Sequence, residues 1–260
     1  MKFASCRWIA LAWVFVGAAA AGQEFRIDTE IFVGKAKEPA ETLTLFSSGL
    51  VYDFLLTEPQ EVTLFDPLRG RFTLLDPGRK LRCGLATQEV LNYVLALETH
   101  AAQSKDTLFA FAANPQFTPA VEEFEEHGQK RTRLALTAGP LSYSAVAYHP
   151  ERPEAVRAVR NFADWFARLN AMRGNLPPAA RLVLNDDLAK RELVPLEITR
   201  TAGKSQAKSR HLMTWTLSGE DRKRIERVGN YLQEFQAVSF DDYRAAASKP
   251  AGTKAQQARR

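Results

Sequence analysis

From Phe25 to Val33 the chain alternates, with mostly apolar side chains at odd positions and mostly charged ones at even positions. That period of two predicts a strand with one buried and one wet face. Residues 42–46 read as a second strand, Ser47-Ser48-Gly49 as a tight turn, and residues 50–56 as the returning strand, with Tyr52, Phe54 and Leu56 on one face. Two turn signals follow, Asp66-Pro67-Leu68-Arg69 and its echo Asp76-Pro77-Gly78-Arg79. Asp accepts local backbone hydrogen bonds at the first position of a turn and Pro presets φ at the second, so the echo predicts consecutive hairpins.

Helical spacing begins at Thr87, read as the N-cap of a helix over residues 88–100 whose apolar face carries Val90, Leu91, Val94, Leu95 and Leu97. A less regular stretch then holds Phe109, Phe111, Phe117 and the acidic cluster Glu122-Glu123-Phe124-Glu125-Glu126. Residues 133–137 and 142–148 predict a hairpin across Ala138-Gly139-Pro140-Leu141. Pro153 opens a helix that buries Val156, Val159, Phe162, Ala163, Phe166 and Leu169, while Arg157, Arg160, Asp164 and Arg168 line its other, solvated side. Pro177-Pro178 opens a short helix through Leu188. Strands at residues 195–201 and 211–217 flank a flexible basic loop, and Ser218-Gly219-Glu220-Asp221 caps a last helix carrying Ile225, Val228, Leu232 and Phe235. The fold class is α+β, a large curved antiparallel sheet packed with several amphipathic helices.

Ahead of the first strand, Lys2 and Arg7 precede an uncharged apolar run, residues 8–16, and the small residues of Gly17-Ala18-Ala19-Ala20-Ala21-Gly22. The run is much shorter than the roughly 20 residues that span a bilayer, and its flanks match a cleavable secretory signal. Residues 1–21 are therefore expected to be a signal peptide, 22–244 a single domain and 245–260 a disordered basic tail, in a protein exported to the periplasm or secreted. No transmembrane segment is expected after cleavage. Cys6 lies before the apolar run and cannot serve as a lipidation site, so Cys83 is left without a disulfide partner and reads as a small buried hydrophobe. The formal charge of +5 rests on Lys2, Arg7 and the tail cations Lys249, Lys254, Arg259 and Arg260. Without them the body is near neutral, which argues against nucleic acid as a partner.

Candidate chemistry is sparse. His100, His127, His149 and His211 are scattered, and no phosphate loop, nucleophile elbow or zinc spacing is present, so neither a cofactor nor a metal is expected. A hydrolase with a dispersed acidic site would need two or more of Asp53, Glu122, Glu125 and His127 to converge within hydrogen-bond reach. Asp53, between Tyr52 and Phe54, is either on the wet face of its strand or buried with a partner such as an arginine. The strand aromatics Phe25, Phe46, Tyr52, Phe54, Phe72, Tyr143 and Trp215 either fill a solid core or line a cavity, and Tyr52, Phe54, Phe72, Tyr143 and Trp215 are the candidate ligand-binding residues.

Leu50-Val51-Tyr52-Asp53-Phe54 followed by Glu61-Val62-Thr63-Leu64-Phe65-Asp66 resembles the opening meander of the outer-membrane lipoprotein carrier superfamily. Leu193-Val194-Pro195-Leu196-Glu197-Ile198, with Leu212-Met213-Thr214-Trp215, is similar to its later hairpin. The resemblance implies a half-barrel of antiparallel strands under helices, carrying acyl chains between the two layers. The chain departs from it in starting with a strand at Phe25 and in the helical block from Pro153 to Leu188. The reading is thus a non-enzymatic binding protein for a lipid-like or other apolar ligand. The alternatives are a structural protein contacting an envelope partner through a solid-cored fold, and a hydrolase with the dispersed site. The sequence leaves the oligomeric state open.

Overall fold

Backbone pairing turns the period-two segments into one twelve-stranded sheet in the computed structural model, which describes residues 23–248. β1 (Phe25–Val33), β2 (Ala40–Ser47), β3 (Leu50–Leu55), β4 (Glu61–Asp66), β5 (Arg71–Asp76) and β6 (Leu81–Ala86) form a sequential antiparallel meander. The β2–β3 turn uses Ser48 at φ 53° and Gly49 at φ 77°, the left-handed pair that matches the twist of a two-residue hairpin. In the β4–β5 and β5–β6 turns Asp66 and Asp76 accept from the backbone N–H of Arg69 and Arg79 at 3.0 and 2.8 Å. Each aspartate also accepts from the same arginine's Nη1, at 2.8 Å in both turns. The Asp-Pro echo is therefore turn chemistry.

Two helices, α1 (Thr87–Ala102) and α2 (Thr107–Ala113), lead to a second meander. It comprises β7 (Thr118–Glu126), β8 (Gln129–Ala138) and β9 (Leu141–Tyr148) and, after α3 (Glu154–Met172) and α4 (Ala179–Lys190), β10 (Val194–Ala202) and β11 (Ser205–Thr214). β11 then pairs antiparallel with β1, from Arg26↔Thr214 to Val33↔Ala207, and joins the two meanders edge to edge. α5 (Gly219–Glu234), the short β12 (Gln236–Ala237), parallel to β6, and α6 (Phe240–Ala247) complete the chain.

Alternation sorts side chains onto two faces of this open curved sheet. Inward-facing Phe25, Phe46, Phe65, Phe72, Leu74 and Cys83 pack with Val90 of α1, Phe162 and Leu169 of α3 and Tyr243 of α6. A separate inner cluster joins Leu134, Leu136, Tyr143 and Ile198 to Leu184 and Leu188 of α4. On the opposite face, Leu43, Leu45, Tyr52, Phe54, Val62 and Leu75 are covered by Val228 and Phe235 of α5 and its flanks. Strands β2 to β5 are thus buried on both faces, which is why they carry runs such as Leu43-Thr44-Leu45-Phe46 rather than strict alternation.

Four details differ from the sequence expectations. Residues 118–126 are an edge strand, exposed almost throughout and studded with Glu, the usual protection of a sheet edge. The expected loop after β10 is most of β11, with Gly203 and Lys204 alone turning the hairpin. Ala86, not Thr87, caps α1, and Glu89 closes the cap by accepting from the Ala86 N–H at 2.6 Å. α6 continues to Ala247, inside the segment expected to be tail. The expected signal peptide and residues 249–260 lie outside the described residues.

α5 is fastened to the seam by charge. Arg26 Nη1 donates to both carboxylate oxygens of Asp221, at 2.9 and 3.0 Å, and Asp221 accepts from the Ser218 backbone N–H and hydroxyl, both at 2.8 Å. Burial alone would raise the Asp221 pKa, but the Ser218 and Arg26 hydrogen bonds win and hold it below the usual carboxylate value. The stability linked to a lowered carboxylate pKa is present above the unfolded value and lost as pH falls through the folded one. Asp221→Asn is expected to cost about 2 kcal/mol at pH 7, with a smaller loss under acid. Urea denaturation at both pH values checks this, and a pH-independent loss contradicts it.

Candidate functional site

Between the two inner clusters the layers do not meet. A cavity of about 480 Å³ lies between the sheet and α3 and α4, within the roughly 300–1,000 Å³ typical of ligand pockets. Its origin is side-chain size. The sheet presents Thr29, Thr42, Thr44, Ala207 and Ser209 where bulk would be needed, and α3 offers Ala163 and Ala167 opposite. Ile27, Ile31, Phe46 and Met213 from the strands and Val159, Phe162 and Phe166 from α3 make apolar walls.

One part of the wall is polar and fixed. His211 lies between two hydroxyls, with Thr29 Oγ1 3.0 Å from Nδ1 and Ser209 Oγ 3.0 Å from Nε2. Burial, reinforced by the charge of Arg181, pushes its pKa down to about 3, so the ring is neutral and donates through one nitrogen while accepting through the other. Arg181, in the first turn of α4, is enclosed by protein but keeps surface towards the cavity, and its Nε donates to Asn185 Oδ1 at 2.9 Å. Burial lowers the Arg181 pKa, and the neighbouring Tyr143 and Arg200 also act on it. Tyr143 and Arg200 face each other across β9 and β10. Burial raises the Tyr143 phenol pKa, against the pull of Arg181 and Arg200.

Asp53 contributes a carboxylate from β3. It is buried, and Thr44 Oγ1 donates to its Oδ1 at 2.6 Å. Its closest polar partner is thus a hydroxyl, while Arg173 acts through space and is itself taken up by Glu61 at 2.5 Å. Burial pushes the Asp53 pKa up to about 6.

The five candidate ligand-binding residues separate. Tyr143 lines the cavity. Phe72 stacks on Phe65 at 4.6 Å inside the filled inner cluster. Trp215 lies 5.9 Å from Phe25 and beneath Arg152, outside the cavity lining. Tyr52 and Phe54 point to the opposite face, under α5, so the strand aromatics do not share one side of the sheet. The physical reason is parity: Asp53 faces inward, and its neighbours in the strand must face outward.

Asp53 and the acidic cluster do not converge. Glu122 and Glu125 are exposed on edge strand β7 and His127 sits in the following turn, while β3 lies seven places along the sheet from β7. Glu122 instead pairs with Arg133 at 2.5 Å. Among the described residues no group of three or more His, Cys, Asp and Glu is placed to hold a metal ion, and no helix is long and apolar enough to cross a membrane. Cys83 is buried, and burial raises its thiol pKa. The arginine stripe on α3 is only partly solvated, because Arg160 reaches Asp186 of α4 at 2.7 Å. Arg181 and His211, two polar groups of the wall, carried no sequence signal beyond their place on inward-facing positions.

Raising the Asp53 pKa has a defined sign. The folded state holds the proton more tightly than the unfolded chain between the ordinary value of 3.8 and about 6. Stability therefore falls as pH rises through that window, and the loss persists above it. Asp53→Asn, which keeps an acceptor for Thr44 without the charge, is expected to gain about 2–3 kcal/mol relative to the wild type between pH 4 and pH 8. Chemical denaturation at the two pH values measures the gain, and an identical difference at both contradicts the assignment.

No protein-family model matches the chain, and no curated protein matches it. Two solved structures of PNGF-II, in the P21 and C2 space groups, are similar to 86% and 84% of this chain at 9% identity, with TM-scores of 0.39 and 0.38. The match covers 32% and 31% of those chains, so this chain spans about a third of their length.

Proposed function

We propose that this is an exported, non-enzymatic binding protein that takes an apolar, acyl-like chain into the cavity between the sheet and α3 and α4. The observation that carries the reading is the unfilled space itself, bounded by Ile27, Phe46, Val159, Phe162, Phe166 and Met213. Interiors close-pack by default, so a cavity of about 480 Å³ leaves apolar side chains without contacts that a ligand would restore. The half-barrel expected from the carrier resemblance would place acyl chains in this interlayer space. The signal-like segment at residues 1–21 supports export.

A filling substitution tests the reading. Ala163 faces the cavity from α3, and Ala163→Trp would occupy much of the space without removing a polar contact. The wild type is expected to bind the uncharged fluorescent probe N-phenyl-1-naphthylamine at micromolar concentration. The variant, still folded by circular dichroism, is expected to lose at least about tenfold in affinity. Equal probe binding by both proteins, or none by the wild type, contradicts the proposal.

A further inference from the structure

We infer that the ligand of this cavity is an anionic amphiphile whose carboxylate or phosphate head pairs with Arg181. This rests on the binding reading above and names the chemistry of its ligand.

Arg181 has no directly paired counter-charge, and Asp164 acts on it only through space. A guanidinium stays protonated in proteins, and enclosing it without a counter-charge is costly. Among the described residues, Arg181 donates through Nε to the neutral amide oxygen of Asn185. The acids nearby are committed elsewhere. Asp164 Oδ1 accepts from Asn185 Nδ2 at 2.8 Å, and its Oδ2 lies 3.6 Å from Arg160. Asp186 is held by Arg160 at 2.7 Å and by Lys190 at 2.6 Å. Among the described residues no carboxylate lies within ion-pair distance of Arg181.

The surroundings reinforce the demand for an anion. Arg200 faces the cavity on the same side of β10 as Ile198 and forms no ion pair among the described residues. Tyr143 stands between the two arginines as a neutral donor, its phenol proton held more tightly by burial. His211 is neutral and adds no charge, its single ring N–H being taken up between Thr29 and Ser209. The lining contains a single carboxylate among the described residues, Asp53, engaged by Thr44 on the far strands β2 and β3. The cavity is therefore cationic at its α4 end and apolar along α3. An oxyanion bound there can take the two Nη groups of Arg181 in bidentate fashion, with its alkyl chain running along the apolar wall.

Calorimetric titration of the purified protein with decanoate, decyl phosphate, decanol and inorganic phosphate tests the inference on the wild type and on Arg181→Gln. The wild type is expected to bind decanoate and decyl phosphate at least about tenfold more tightly than decanol, and inorganic phosphate far more weakly than decyl phosphate. Arg181→Gln is expected to erase the preference for the charged heads while leaving decanol affinity within about twofold. Arg181→Lys, which keeps the charge but loses the fork, is expected to recover part of it.

The inference is overturned if the wild type binds decanol as tightly as decanoate. It is also overturned if Arg181→Gln weakens both equally, or if inorganic phosphate matches decyl phosphate, which would make the ligand a free anion. In the first two outcomes the cavity still binds alkyl chains and the proposed function stands. If no alkyl compound binds, the binding reading itself fails.

Discussion

The pairing of β1 with β11 is the contact on which the architecture depends. Each meander alone would leave a long edge of unpaired N–H and C=O groups. Their union from Arg26↔Thr214 to Val33↔Ala207 closes both edges at once. It is also among the costliest contacts to form, because nearly the whole domain lies in the loop that it closes. Much is built against this seam. Arg26 on its outer face holds Asp221 and so positions α5, and Phe25 on its inner face stacks on Phe46 at 4.1 Å beneath α3.

The cavity is a consequence of what the seam carries. Outer positions of β1 and β11 hold charge and exposed apolar groups such as Leu212, while inner positions hold Thr29, Ala207, Ser209 and His211. Packing on either side is complete, through Phe65 and Phe72 in one cluster and Leu134 and Leu136 in the other. Helices spanning both clusters cannot also descend onto the short side chains between them. Enclosed polar groups mark this space: a neutral His211, an Asp53 that resists ionisation, and a guanidinium at Arg181 hydrogen-bonded to an amide rather than paired with a carboxylate.

Much of the architecture was legible in the sequence because strong local signals agreed with the tertiary result. The alternation of β1, the Asp-Pro turns and the Ser218 cap each name their element from a few residues. The losses have physical causes. β7 is exposed on nearly every residue, so no alternation betrays it, and glutamate is a poor strand former. The start of β11, with its Lys, Ser and Ala residues, becomes a strand because β1 and β10 supply partners on both sides. The site was less legible still. Parity places Asp53 and Tyr52 on opposite faces, but it cannot show which face α5 covers and which borders a cavity. Arg181 sits on a helix with weak amphipathic periodicity, and its neighbours Tyr143 and Arg200 are far away in the chain.

The proposed ligand site is the space under α3 and α4, where an alkyl chain would lie. A crystal structure with a terminally brominated decanoate addresses it directly, since anomalous scattering locates the bromine independently of the protein coordinates. A bromine peak is expected between Phe162 or Phe166 of α3 and the β1–β11 seam. Side chains closing the space, or bromine only on the outer surface, would contradict it.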